Sequence, residues 1–277
     1  QPCQGWSRGF ESLRPLQIFY VLMLNVFNFT LNNVGDFYSP PFRYFNLGDE
    51  YLDIKANKLQ TIQGKKLIVG GGALTSVVKK LKLNKTFKSN YVITWGIGGD
   101  KRVTQDEVLE FQENEDHFGN TWDSCDIIST RVDYSKFKYV PCPSCMHKSF
   151  NIFKKIIPNK KIGIYFHWKR PFKINGITDH LSNQGFNIDE KLNFLSQFEI
   201  IITNAYHGLY WATLLGKKVL CIPNKSGLFS LKYKHTYFKK DSIINEELIN
   251  ILKSYPDALE ECREINNDFF HYIKNNS

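Results

Sequence analysis

Chemistry-bearing residues gather at a few points of the sequence. Ile200-Ile201-Ile202-Thr203 runs into Asn204-Ala205-Tyr206-His207-Gly208, and an apolar stretch continues to Leu215. A buried strand followed by a helix would deliver His207 at the junction, where an imidazole of near-neutral pKa can give and take protons. A hydrogen-bonded core histidine would have the same sequence. His167-Trp168-Lys169-Arg170 directly follows the run 161–166, and Arg131 directly follows Asp126-Ile127-Ile128-Ser129-Thr130. Beyond Met23 the arginines are Arg43, Arg102, Arg131, Arg170 and Arg263, so two of them stand at strand ends. There a guanidinium fork suits a carboxylate or phosphate; the plainer reading is that both solvate loop tips. Gly70-Gly71-Gly72 lets backbone N–H groups approach an anion at a helix start, although a tight turn would use the same residues. Without Gly-Lys-Ser/Thr it is no Walker loop, and Gly96, Gly98 and Gly99 are read the same way. Cys142-Pro143-Ser144-Cys145 with His147 has the residue types for zinc or a dithiol. No second CxxC or HxxxH completes a four-ligand set, and a redox dithiol belongs at a helix start after a first strand. The stretch is therefore read as a structural loop shaping a linker, and no metal and no cofactor are expected.

Stepping along the chain gives the elements that must position these groups. Alternation over Leu24–Leu31 predicts a first strand, ended by the turn residues Asn32-Asn33-Val34-Gly35-Asp36. Further strands are expected at 66–69, 91–95, 126–130 and 137–140. Helices are expected after Gly72 and over Thr104–Asp116, the latter opened by a Thr104/Glu107 capping box. A break at 141–158 precedes strands at 161–166, 198–203 and 218–222 and helices at 207–215, 245–252 and 258–273. Strand, glycine turn and helix in repetition is the grammar of a parallel α/β sheet. The expected fold is two Rossmann-like α/β lobes around a cleft, residues 23–148 and 149–277. Ligands of such sheets bind at the loops beyond the strands' carboxyl ends.

Composition excludes other classes. The chain has 277 residues with 42% hydrophobic and 23% charged residues, which is globular rather than disordered or disulfide-dense. The net charge of +9 comes mostly from lysine, without the clustered basic stripe of a nucleic-acid binder. No nucleic-acid partner is expected; an anionic small molecule or an anionic membrane surface suits the sign. The six unevenly spaced cysteines are read as reduced thiols. Residues 1–22 imitate a signal peptide, but no small-residue cleavage site follows and the apolar run is too short to span a bilayer. Gly9-Phe10-Glu11-Ser12-Leu13-Arg14-Pro15 matches what a transfer-RNA gene's T-arm yields when translated, so the native start is expected at Met23 and the protein in the cytoplasm.

Asn33-Val34-Gly35-Asp36, Val69-Gly70-Gly71-Gly72, Trp95-Gly96-Ile97-Gly98, Ser129-Thr130-Arg131 and Tyr206-His207-Gly208 occur in one order. Together they resemble the polysaccharide pyruvyl transferase family from Met23 to about Lys234. The resemblance implies a GT-B-like architecture. It also implies transfer of a pyruvyl group from phosphoenolpyruvate onto two sugar hydroxyls of a cell-surface glycan, such as capsule or lipopolysaccharide. It makes His207 the acid/base and Asp36 a catalytic residue near the acceptor, with Asn33 and Gly35 beside it. Donor contacts fall to Arg131, Gly71, Gly72 and Gly208. Many members carry Arg-Leu-His-Gly where this chain has Ala205-Tyr206-His207-Gly208, so Arg170, Lys169 or His167 must replace the missing cation, or the donor differs. The alternatives are a GT-B glycosyltransferase using a nucleotide sugar and a non-catalytic glycan-assembly subunit. The acceptor implied by the resemblance is a glycan or lipid-linked sugar, and peripheral contact at the membrane's inner face is expected.

Overall fold

A computed structural model describes residues 23–27, 32–47, 51–55, 66–70, 72, 91–98, 125–131, 133, 137–223, 231–237 and 244–276. Residues 1–22, Gly71, Gly99 and the helices expected after Gly72 and over 104–116 lie outside them.

The chain is mixed α/β with parallel sheets. Strands β1 (Met23–Phe27), β2 (Tyr51–Lys55), β3 (Lys66–Gly70) and β4 (Tyr91–Trp95) form a four-stranded parallel sheet in the order β2-β1-β3-β4. The short β5 (Ser129–Thr130) and β6 (Lys138–Tyr139) pair with each other, and bridges from Ile127 and Thr130 attach them to the β4 edge. A second parallel sheet contains β7 (Lys160–Phe166), β8 (His180–Ser182), β9 (Phe198–Thr203), β10 (Lys218–Cys221) and β11 (Thr236–Tyr237), in the order β11-β10-β9-β7-β8. β3, β4, β9 and β10 are almost wholly buried, as strands covered on both faces must be.

Helices are α1 (Val34–Tyr38), α2 (Phe150–Phe153), α3 (Ile188–Ser196), α4 (Tyr206–Leu214), α5 (Glu246–Asn250) and α6 (Ala258–Asn276). The turn expected at Asn32–Asp36 is tighter than its composition suggests. Asn32 takes a φ of +66°, Asn33 caps α1, and helix begins at once. Cys142-Pro143-Ser144-Cys145 is a buried structural loop. It forms a 3-10 turn whose cysteines are fully buried with Val34, Tyr165 and Leu209 in the largest core. Cys125, Cys142, Cys145, Cys221 and Cys262 are free thiols.

α6 buries Ala258, Leu259, Cys262, Asn266, Phe269 and Ile273, a three-and-four spacing that draws one stripe along the helix. Its first half joins the core of the second sheet, whereas Phe269 and Ile273 pack with Ile68, Ile93 and Trp95 of the first. At the crossing the fully buried Asn266 accepts from Trp95 Nε1 (2.8 Å) and donates to the carbonyls of Cys262 (2.9 Å) and Pro141 (3.2 Å). Asn266→Ala would strand the indole N–H and leave a void, each a cost of about 1–3 kcal/mol. A drop in the melting temperature of several degrees is expected, and a change below one degree would refute this account of the crossing.

Candidate functional site

In both sheets the strand order reverses next to the first strand. β2 and β3 flank β1 in one, and β8 and β9 flank β7 in the other. Such reversals open a crevice at the carboxyl ends of the strands. The segments that leave them are Asn33–Asp36 and Gly72 in the first sheet, and His167–Arg170 and Asn204–His207 in the second. Nearly all of the sequence-derived candidates fall there.

The two segments of the second sheet are tied by Asn204. Its Oδ1 accepts from the His167 N–H (2.7 Å) and its Nδ2 donates to the Arg170 carbonyl (2.7 Å). The His167–Arg170 turn is thereby held against the start of α4. His167 and Arg170 are half-buried, while Lys169 is exposed with its ammonium 4.9 Å from the Trp168 ring centroid. Ala205 lies in the core at the N-cap of α4 and supplies no capping oxygen. Gly208 has a packing reason to be glycine, because a Cβ there would stand 2.4 Å from Thr203 Oγ1 and Tyr165 Cδ1.

Arg131 arrives from the first sheet. Thr94 and Ser129 exchange side-chain and backbone hydrogen bonds across the β4–β5 junction, and Thr130 Oγ1 donates to the Ile97 carbonyl. With the Arg131 N–H also on Ile97 O, the guanidinium is fixed beside Gly98. A Cβ at Gly98 would stand 2.2 Å from Arg131 Nε, so any larger residue would push the guanidinium out of this position. The guanidinium is 3.5 Å from the Tyr206 ring centroid, and Arg131 is only 3% exposed. Among the described residues its Nε and Nη1 have no hydrogen-bond partner. Gly72, in a positive-φ conformation, accepts from the Gly98 N–H on the same side.

His207 is 5% exposed. Its Nε2 lies 3.0 Å from Ser39 Oγ and 3.5 Å from Cys142 Sγ, while Ser39 donates to the Gly35 carbonyl. The other edge of the ring faces Gly35, where a Cβ would fall 2.0 Å from Nδ1. Burial first, then the nearby Arg131 cation, push the imidazole's pKa well below its ordinary value. His207 is therefore neutral at pH 7 and both of its nitrogens face protein. Gly35→Ala forces α1 away from the ring, and overpacking of this kind costs about 1–3 kcal/mol. A lower denaturation midpoint is the expected result, and an unchanged one would show that α1 can shift freely.

Asn33 and Asp36 form one unit. Asn33 Oδ1 accepts from the Gly35 N–H and from Asn183 Nδ2 (both 3.1 Å), which turns Asn33 Nδ2 toward Asp36 Oδ2 at 2.8 Å. Asn183 also accepts from the Trp168 N–H (2.8 Å) through Oδ1. It thus joins the candidate donor turn to the candidate acceptor turn. Asn183, Ser39, Cys142 and Tyr206 were not singled out as site residues from the sequence. Asn183 follows a strand, β8, too short to read there. Tyr206 stood beside His207, and its ring is the platform for Arg131. No group of three or more His, Cys, Asp or Glu among the described residues is placed to hold a metal ion.

The sequence pattern of the polysaccharide pyruvyl transferase family matches residues 25–226. Among solved structures, a functionally uncharacterised protein from Klebsiella pneumoniae subsp. pneumoniae NTUH-K2044 is similar at 14% identity. The alignment covers 79% of this chain and 93% of that one, with a TM-score of 0.48. No curated protein matches the chain.

Proposed function

The chain belongs to the polysaccharide pyruvyl transferase family and is a transferase, and from that premise we propose that it moves a pyruvyl group from phosphoenolpyruvate onto two hydroxyls of a glycan or lipid-linked sugar. The observation that carries the donor assignment is Arg131, a buried guanidinium with unpartnered Nε and Nη1 at the first turn of α4. Burying an unpaired cation is costly, and an anion seated on it removes the cost. Phosphoenolpyruvate is a compact anion with two charged ends. In this reading Arg131 takes one end, and Arg170, Lys169, His167 and the backbone of Gly71, Gly72 and Gly208 serve the other.

The proposal takes the two sheets as two Rossmann-like lobes around a GT-B-like cleft, residues 23–148 and 149–277, with α6 returning to the first. Transfer begins when the vinyl carbon takes a proton and C2 becomes oxocarbenium-like. One sugar hydroxyl adds there, and the second displaces phosphate and closes the ketal. One hydroxyl proton ends in the new methyl group and the other on phosphate, so the reaction needs no oxidant or reductant. His207 is the group that holds the proton. Burial is the larger reason that His207 is neutral and the Arg131 field the lesser, and the donor's negative charge offsets that lesser part, so donor binding favours the imidazolium. Asp36, oriented by Asn33, accepts the acceptor's proton, and Gly35 and Asn33 shape that side.

The protein is taken to work in the cytoplasm, against the inner face of the membrane. No helix among the described residues is long and apolar enough to cross a bilayer. Phosphorus NMR of the protein with phosphoenolpyruvate and a candidate glycan tests the reading. Inorganic phosphate should appear together with an acceptor mass increased by one pyruvyl ketal. Binding of a nucleotide sugar with no affinity for phosphoenolpyruvate would instead make Ala205 the mark of a changed donor and favour glycosyl transfer.

A further inference from the structure

We infer that the loop between α2 and β7 with the first two residues of β7, Lys154-Lys155-Ile156-Ile157-Pro158-Asn159-Lys160-Lys161, is a docking surface for an anionic lipid bilayer. Ile157 is 86% exposed and Ile152, on the preceding turn, 65%; they are the most exposed large apolar side chains among the described residues. Isolated exposed isoleucines need no explanation, but these two project from a segment with a lysine pair on each side of Ile157. Lys154, Lys160 and Lys161 pair with Glu260, Asp179 and Glu199 in solvent-exposed bridges that hold little energy and exchange readily. Lysine stems lie along apolar matter while their ammonium groups reach phosphate, and a projecting isoleucine enters the acyl boundary.

A second observation adjoins the loop. A cavity of about 350 Å³ is lined by Lys154, Ile156, Pro158, Lys217 and Lys218, with Glu199 at its side. Lys217 is almost fully buried, its Nζ on the Ser196 carbonyl at 2.7 Å. Burial lowers its pKa to about 8, so a phosphate headgroup in the cavity would favour its charged form. Nucleic acid is the poorer occupant. It would exploit arginine and stacking aromatics, which this loop lacks, and would leave the isoleucines in water.

The loop lies at the amino end of β7, whereas His167–Arg170 leaves its carboxyl end. A seven-residue strand separates them by about 20 Å. Substitutions here therefore do not touch the candidate site. The inference rests on the proposed function only for the reason a membrane is near.

The test is co-sedimentation of the full chain with vesicles of phosphatidylcholine alone and of phosphatidylcholine mixed with phosphatidylglycerol. Binding is expected to the mixed vesicles and to weaken with salt. Lys155→Glu should lower the partition coefficient by about fivefold or more, the worth of one lysine at such a surface, and Ile157→Ser should also lower it. Both variants should keep the wild-type melting temperature and phosphate release with a soluble acceptor. Absence of binding to the mixed vesicles would overturn the inference. So would partition unchanged in both variants, or equal affinity for DNA or an acidic polypeptide lost with the same substitutions. Vesicle binding without any phosphate release would sink the pyruvyl reading and leave the docking surface standing.

Discussion

His207→Ala is expected to reduce turnover by about 10²–10⁴-fold, the usual contribution of a positioned acid or base. It also removes a buried hydrogen bond to Ser39, so activity alone would not separate chemistry from support. His207→Gln makes the separation, because it keeps a hydrogen-bonding group but holds no ionisable proton. The expected pattern is a melting temperature lowered in the alanine variant and largely restored in the glutamine variant, with turnover lost in both. Recovery of turnover by glutamine would make His207 a pin between α1 and α4 and nothing more. The pH dependence of stability follows from the same burial. The folded imidazole stays neutral where an unfolded histidine, near pKa 6.5, takes a proton. Its contribution is therefore complete above about pH 6.5 and declines as pH falls toward the depressed folded value. A glutamine variant should lose less stability between pH 7 and 5 than wild type does, as denaturant melts would read.

Arg131→Ala is expected to weaken phosphoenolpyruvate binding by about ten- to a hundredfold, since a hydrogen bond to a charged group contributes roughly 1.5–3 kcal/mol. Titration calorimetry of the free protein measures this without an acceptor. Gly98→Ala serves as a partner experiment. It keeps the charge but places a methyl group 2.2 Å from Nε, so it should lose affinity by pushing the guanidinium off the Tyr206 ring. Arg131→Lys retains a cation without the fork and should fall between the two. Wild-type affinity in Arg131→Ala would remove Arg131 from the donor site. The unliganded melting temperature should change little in this variant, because removing a buried cation whose Nε and Nη1 lack partners among the described residues offsets the lost contact with the Tyr206 ring.

Much of the arrangement was legible in advance because apolar runs ended by glycine or polar residues are local signals. The strands ending at Trp95, Phe166 and Thr203 and the helices starting near Tyr206 and Ala258 were readable in this way. Helix α3 was not identified, although Asn187 caps Glu190 and Ile188, Leu192 and Leu195 mark its apolar stripe. β8 and β11 are too short for periodicity to register. Contacts between distant segments left no local trace. Nothing near residue 183 signals a bond to Asn33, and nothing in Cys142-Pro143-Ser144-Cys145 tells that its first cysteine lies against His207. The Gly35 and Gly98 close approaches were visible only as glycines in turns, the same appearance that Gly216 gives.

The return of α6 to the first sheet bears on how the protein is made. A ribosome releases β3 and β4 long before Phe269 and Ile273, the side chains that complete the core around Ile68, Ile93 and Trp95. During that interval the part of this core that Phe269 and Ile273 fill stays open beside Phe45, Leu47, Ile127 and Val140, the kind of transient exposure that draws chaperones or promotes aggregation. The second sheet gathers its strands and α4 within a continuous stretch of chain and waits on α6 only for Ala258, Leu259 and Cys262. Nascent chains from which α6 has not emerged should therefore be more protease-sensitive in the first sheet than in the second, with full protection of both arriving once α6 is out.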